Sequence, residues 1–168
     1  LARIIAIAVD PVVNSTLLNI GRMISAAAEQ SPIIMGFLLG GIMKMICTSP
    51  LSSMALTAML GLDGLAMGIA AIACVGGSFT NGIIFDRLKL GERSNVIAVM
   101  LEPLTQADII TQNPIPIYGS NFFGGGLAGL AAAMLGIINN APGTASPIPG
   151  LLAPFGFNPP LKVVAAIV

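Results

Sequence analysis

Glu102 ends the apolar run NVIAVML and is followed at once by Pro103. A carboxylate in such surroundings is costly unless it is paired, hydrated or protonated, so its presence asks for a reason. Asp108 and Gln106 follow within a turn or two. Elsewhere the chain carries neutral hydrogen-bonding groups inside otherwise apolar or Gly/Pro-rich stretches: Asn81, Asn113, Asn139, Asn140, Thr144, Ser146, Ser49 and Ser52. Together with one carboxylate they suit a small polar, neutral, polyhydroxylated solute. An ion would ask for charge or for a ring of carbonyls. The expected solute-binding set is therefore Glu102, Asn81, Asn113, Asn140, Thr144, Ser146, Ser49 and Ser52. Each also has a structural reading. Ser49, Ser52 and Ser53 flank a helix start, where hydroxyls cap orphan N–H groups. Asn81 and Thr80 sit late in a long apolar helix, where they can hydrogen-bond to a neighbouring helix. Glu102 itself can lie at an interface and simply meet water.

What the chain lacks is equally informative. There is no His, which removes a Ser-His-Asp triad, a His-ligated metal and a phosphohistidine. Cys47 and Cys74 both lie inside apolar runs without metal-like spacing and read as two small buried thiols. The triple glycine at 124–126 has neither the preceding strand nor the following Lys-Ser/Thr of a phosphate loop. No catalytic constellation, metal site or cofactor is expected. Seven basic residues balance seven acidic ones, so no basic stripe exists to neutralise phosphates, and nucleic acid is not an expected partner.

Of the 168 residues, 55% are apolar and 8% charged, against roughly 25% charged in ordinary soluble domains. Such a chain cannot clothe a soluble surface. Its expected solvent is the lipid bilayer, with one membrane domain over 1–168. The competing reading is an Ala/Gly-rich soluble oligomer whose faces are covered by its neighbours. About 20 apolar residues cross a bilayer, and two stretches qualify, 63–85 and 118–138, the second lying in a spanning segment 117–138. Residues 13–31 form an amphipathic helix, with Val13, Leu17, Ile20 and Ile24 on one side. Residues 32–62 hold a helix and then, after Pro50, a stretch of about 18 Å that is too short to cross. Such a re-entrant half-helix survives only where protein or a water-filled cavity satisfies its backbone.

Residues 86–94 carry Arg87, Lys89 and Arg93 and are expected in the cytoplasm by the positive-inside bias. The 95–116 segment is broken by Glu102, Pro103, Pro114 and Pro116. In 139–160, Pro142, Pro147 and Pro149 forbid a continuous helix, giving a second re-entrant or irregular segment. Three small-xxx-small pairs, Gly36/Gly40, Gly64/Gly68 and Gly125/Gly129, permit close helix approach. The expected fold is all-α and polytopic, with spanning helices, short re-entrant half-helices and Gly/Pro-rich irregular segments. The chain starts at Leu1 rather than Met and is read as part of a longer polypeptide.

The run SPIIMGFLLGGIMKMICTSPLSSMALTAMLGLDGLAMGIAAIACVGGSF resembles the membrane subunit IIC of bacterial sugar phosphotransferase systems, in the branch typified by the clostridial toxin regulator. The shared features are a Gln/Ser-Pro-Ile start, an Ile/Thr-Ser-Pro-x-Ser-Ser turn and a Gly-Leu-x-Gly-x-Ala run, within residues 19–85. The resemblance implies a homodimeric permease of the bacterial inner membrane, with re-entrant hairpins. It also implies a sugar as solute and a IIB-type phosphocarrier subunit as partner, which phosphorylates the sugar. Sugar permeases of this system commonly place a His and a Glu near the sugar, and this chain has no His. Two other functions stay open at this stage: a membrane-embedded regulator or sensor that binds a ligand or partner without transport, and a channel-like or purely structural subunit.

Overall fold

Ser31-Pro32 opens the first well-buried helix, since proline at a helix start loses no needed N–H. In the computed structural model, which describes residues 2–168 and the side chains of 10–168 except that of residue 12, this helix is α2, Pro32–Thr48. It follows a long α1, Ala2–Gln30, which begins upstream of the amphipathic stretch and contains Pro11. Next come α3 (Ser53–Met59), α4 (Gly64–Arg87), α5 (Arg93–Leu101) and a 3₁₀ turn, Pro103–Gln106. The chain continues through α6 (Ala107–Gln112), α7 (Pro114–Met134), α8 (Pro147–Leu152), a second 3₁₀ turn (Ala153–Gly156) and α9 (Pro160–Ile167). No strand occurs among the described residues.

The core is the crossing of α2, α4 and α7, and glycine sets how close the helices come. A Cβ on Gly40 would lie 2.6 Å from the Gly125 carbonyl oxygen, and one on Gly36 would lie 2.9 Å from that of Gly129. The Gly36/Gly40 and Gly125/Gly129 pairs thus pack on each other, running antiparallel, as close-approach motifs do in lipid. Gly64/Gly68 is different: Gly68 abuts the Ile137 backbone, while Gly64 has φ +55° and nothing near it. It serves the start of α4 rather than a helix crossing.

Contacts fix the directions of the other helices. Lys44 packs on Gly77, and Thr48 is bonded to Asn81, so α2 and α4 run parallel. Gly124 faces Thr80, and Ala128 faces Gly76, so α7 is antiparallel to both. Parallel neighbours require the chain to travel back along α2, about 25 Å at 1.5 Å per residue, between Thr48 and Gly64. Seven-residue α3 and the non-helical residues around it make that return. Ser49 Oγ donates to the Ile46 carbonyl (2.7 Å) and accepts from the Leu51 N–H, while Ser52 Oγ accepts from the Ala55 N–H (3.2 Å). The Thr-Ser-Pro-Leu-Ser-Ser turn therefore satisfies its own backbone.

A second excursion leaves the end of α7. The helix stops at Met134, short of 138, because Gly136 at φ +55° closes it and the Ile137 N–H reaches back to the Ala132 carbonyl, a left-handed glycine cap. Asn139 N–H then donates to the Gly64 carbonyl, and Asn140 Oδ1 accepts from the Gly64 N–H. The chain descends until Gly150 touches the Ala71 backbone, seven residues and about 10 Å along α4. It returns to Asn158, whose side chain accepts from the Ile138 N–H (3.0 Å) and donates to the Ile138 carbonyl (2.6 Å). Entry and exit are pinned by one amide.

Among the described residues α4 alone is both long and apolar enough to cross a membrane. The other stretch that qualified on sequence, 118–138, is displaced: α7 begins at Pro114, and its first part carries Tyr118, Ser120 and Asn121. Outward faces are nonetheless apolar. Ile34, Leu38 and Ile42 on α2, Phe79 and Ile83 on α4, and Phe123, Leu127 and Met134 on α7 are exposed. Patches of this extent suit lipid rather than water.

Candidate functional site

The turn before α3, the break after α5 and the start of α8 converge. Between them lies a cavity of about 120 Å³ whose polar wall is Glu102, Ser52, Ser53 and Ser146, with Cys47 at its inner side. Leu51, Met54 and Leu104 complete it with apolar surface. Its depth follows from the turn of α2 that carries Cys47: Lys44, one turn earlier, donates to the carbonyl of Cys74 (3.4 Å), the eleventh of the 24 residues of α4. The cavity is thus level with the middle of the long apolar helix.

Each polar group arrives there for a local reason. Pro103 cannot continue α5, so Glu102 ends it in extended conformation, its N–H still bonded to the Ala98 carbonyl (2.8 Å). Its own carbonyl accepts from the Thr105 N–H and hydroxyl. Among the described residues no donor reaches the Glu102 carboxylate. Ser52 spends its lone pair on the α3 cap and keeps its proton. Ser53 Oγ donates to the Ala145 carbonyl, tying α3 to the strand of chain before α8. Ser146 precedes α8 but caps no backbone N–H with its hydroxyl. The cavity therefore offers a carboxyl group and serine hydroxyls, which is chemistry for receiving and giving hydrogen bonds to hydroxyl groups.

Of the expected solute-binding residues, Glu102, Ser52 and Ser146 share this cavity. Ser49 is one turn away, on a shallow apolar groove with Met45, Ile46 and Tyr118. Asn81 lies in the α2–α4–α7 interface, donating to Thr48 Oγ1 (3.3 Å) and accepting from Asn121 Nδ2 (2.6 Å). Asn121 Oδ1 is buried there without a partner. Asn113 donates to the Ile109 carbonyl at the start of α7. Asn140 and Thr144 organise the second excursion, Thr144 Oγ1 donating to the Ala141 carbonyl and accepting from Asn139. Two residues gain importance from the structure. Ser53 was legible as a cap, and Cys47 only as a thiol in an apolar run. Lys44 is a third, fully buried behind Cys47; a lone cation in GGIMKMIC was its signal.

A larger cavity of about 470 Å³ opens at the α1 side of the molecule, where Arg22, Glu29 and Asp63 come together beside Gly61. A second charged cluster, Asp86, Lys89, Glu92 and Arg93, lies at the opposite end, where Lys89 and Asp86 pair at 3.4 Å on the surface. Charged ends separated by an apolar belt are the pattern of a membrane-embedded helical bundle.

A belt of that kind defines an integral membrane protein. The family model "phosphotransferase system, EIIC" matches residues 1–168, and the chain belongs to that family. It is accordingly a sugar-permease component of a phosphotransferase system, an integral protein of the bacterial inner membrane, in a system whose IIB subunit is its partner. No curated protein and no solved structure matches it significantly.

Proposed function

We propose that the Glu102 cavity binds a neutral sugar while it crosses the bilayer. The observation that carries this reading is the convergence of two short helices and a proline-broken third on one cavity level with the middle of α4. Broken helices at mid-depth are where secondary transporters place their solute groups, because the interrupted backbone and its flanking hydroxyls face a cavity instead of lipid. On this reading the 139–158 excursion is a re-entrant hairpin that enters and leaves at the Gly64 end of α4, and the 48–64 segment, which runs from the level of Asn81 to Gly64, is a broken return crossing. The 86–94 loop is cytoplasmic, with Arg87, Lys89 and Arg93 on it. Glu102 accepts from sugar hydroxyls, and Ser52 and Ser146 donate to or accept from others. Asn81, Asn113, Asn140, Thr144 and Ser49 hold the scaffold. A homodimer, with a IIB-type carrier supplying the phosphoryl group at the cytoplasmic face, completes the reading. The regulator-like branch within the family rests on the SPIIMG and TSPLSS runs alone.

The test is uptake of a panel of labelled hexoses and pentitols into proteoliposomes holding the complete chain, with and without phosphorylated IIB. Accumulation of at least one sugar is expected, as its phosphate when IIB is present. If no sugar enters under either condition while the vesicles are sealed, the reading fails.

A further inference from the structure

Lys44 is held in a slot made for it. Its methylenes lie against Gly77 of α4 and Gly125 of α7, and a Cβ at either glycine would collide with them. The amine is fully buried and donates one long hydrogen bond, 3.4 Å, to the Cys74 carbonyl. No carboxylate is in ion-pair contact with it among the described residues. Burying an ammonium without a paired charge is costly, and a methionine would fill the same slot without that cost. Cys47 follows Lys44 by about one turn of α2 and lines the cavity on whose wall Glu102 stands.

We propose that Lys44 is the cationic pole of the Glu102 cavity, a positioning residue that acts through the field across Cys47 rather than by touching the solute. Two opposite charges on either side leave the cavity neutral as a whole. It then accepts a neutral polyhydroxylated solute and disfavours ions of both signs. This rests on reading the cavity as the solute site, and it adds which solutes are turned away.

Cys47 is a built-in reporter, so the test needs no identified sugar. The complete chain is reconstituted in a form whose sole thiol is Cys47, with Cys74→Ser. It is treated with aminoethyl or sulfonatoethyl methanethiosulfonate. The Cys47 thiolate displaces methanesulfinate from either reagent and forms a mixed disulfide, leaving a cation or an anion in the wall. The ratio of the two rates cancels the ionisation of the thiol itself. Lys44→Met should raise the cation-to-anion ratio about fivefold or more, as expected for one unit charge removed at nanometre range in a medium between protein and water. Glu102→Gln should lower it by a similar factor, and the double variant should return close to the parent. Lys44→Gln, read in the same way, replaces the methionine variant should that one not reconstitute. An unchanged ratio in the Lys44 variants with a shifted ratio in Glu102→Gln overturns the role of Lys44 and leaves the cavity reading standing. No labelling of Cys47 in any variant overturns both.

Discussion

Glu102 and Ser53 line the same cavity, and substitutions separate the solute contact proposed for the first from the structural tie made by the second. Ser53 Oγ ties α3 to the Ala145 carbonyl in a buried setting. Ser53→Ala removes a hydrogen bond and leaves a buried acceptor, a loss of about 1–3 kcal/mol. A lower melting temperature in detergent, with an unshifted helical circular dichroism spectrum, is the expected result. Asn158 is more exposed to this logic, since its one amide satisfies both the N–H and the carbonyl of Ile138. Asn158→Ala should destabilise more than Ser53→Ala in the same melting assay. Glu102 was legible in the sequence because a single charge beside proline in an apolar run is conspicuous. Lys44 carried the same kind of signal, but its slot did not. Gly77 and Gly125 lie 33 and 81 positions away, and nothing in a single chain says which glycine meets which side chain.

At the scale of elements, the short helix after Pro50 was readable from proline chemistry and length, whereas α8 was not, because Pro147 and Pro149 lie in its first turn, where proline loses no needed N–H. That α2 and α4 run parallel was not readable, because it depends on where the return path goes, which Ser53 and Ala145 settle by a contact over 92 positions. The end of α7 was misplaced by four residues for a local reason, the left-handed Gly136 that closes the helix before the apolar run ends. The α2–α7 crossing gives an element-scale test. Gly40→Leu places side-chain atoms against the Gly125 carbonyl and should cost about 1–3 kcal/mol or more by overpacking. Gly119→Ala, where nothing lies within 4 Å, should leave the melting temperature equal or slightly higher, since alanine favours helix. Equal loss at both positions would mean the glycines matter for helix propensity and not for the crossing.

For the whole molecule, membrane residence was legible from composition, because seven positive and seven negative charges cannot cover 168 residues. Depth within the membrane was not. Cysteine introduced at Ser52 or Thr144 should label slowly with a polar maleimide, and only through a cavity, while cysteine at Lys89 labels fast; equal rates at all three would place both excursions in outer loops. Calorimetry tests the proposed passage of a sugar at Glu102. A sugar identified by uptake is titrated into the detergent-solubilised parent and into Glu102→Gln, which keeps the shape and removes the charge. Charge-assisted hydrogen bonds contribute about 1.5–3 kcal/mol each, so the variant should bind about tenfold more weakly or worse, with its melting temperature unchanged. Equal affinity in the two proteins would place the sugar away from Glu102.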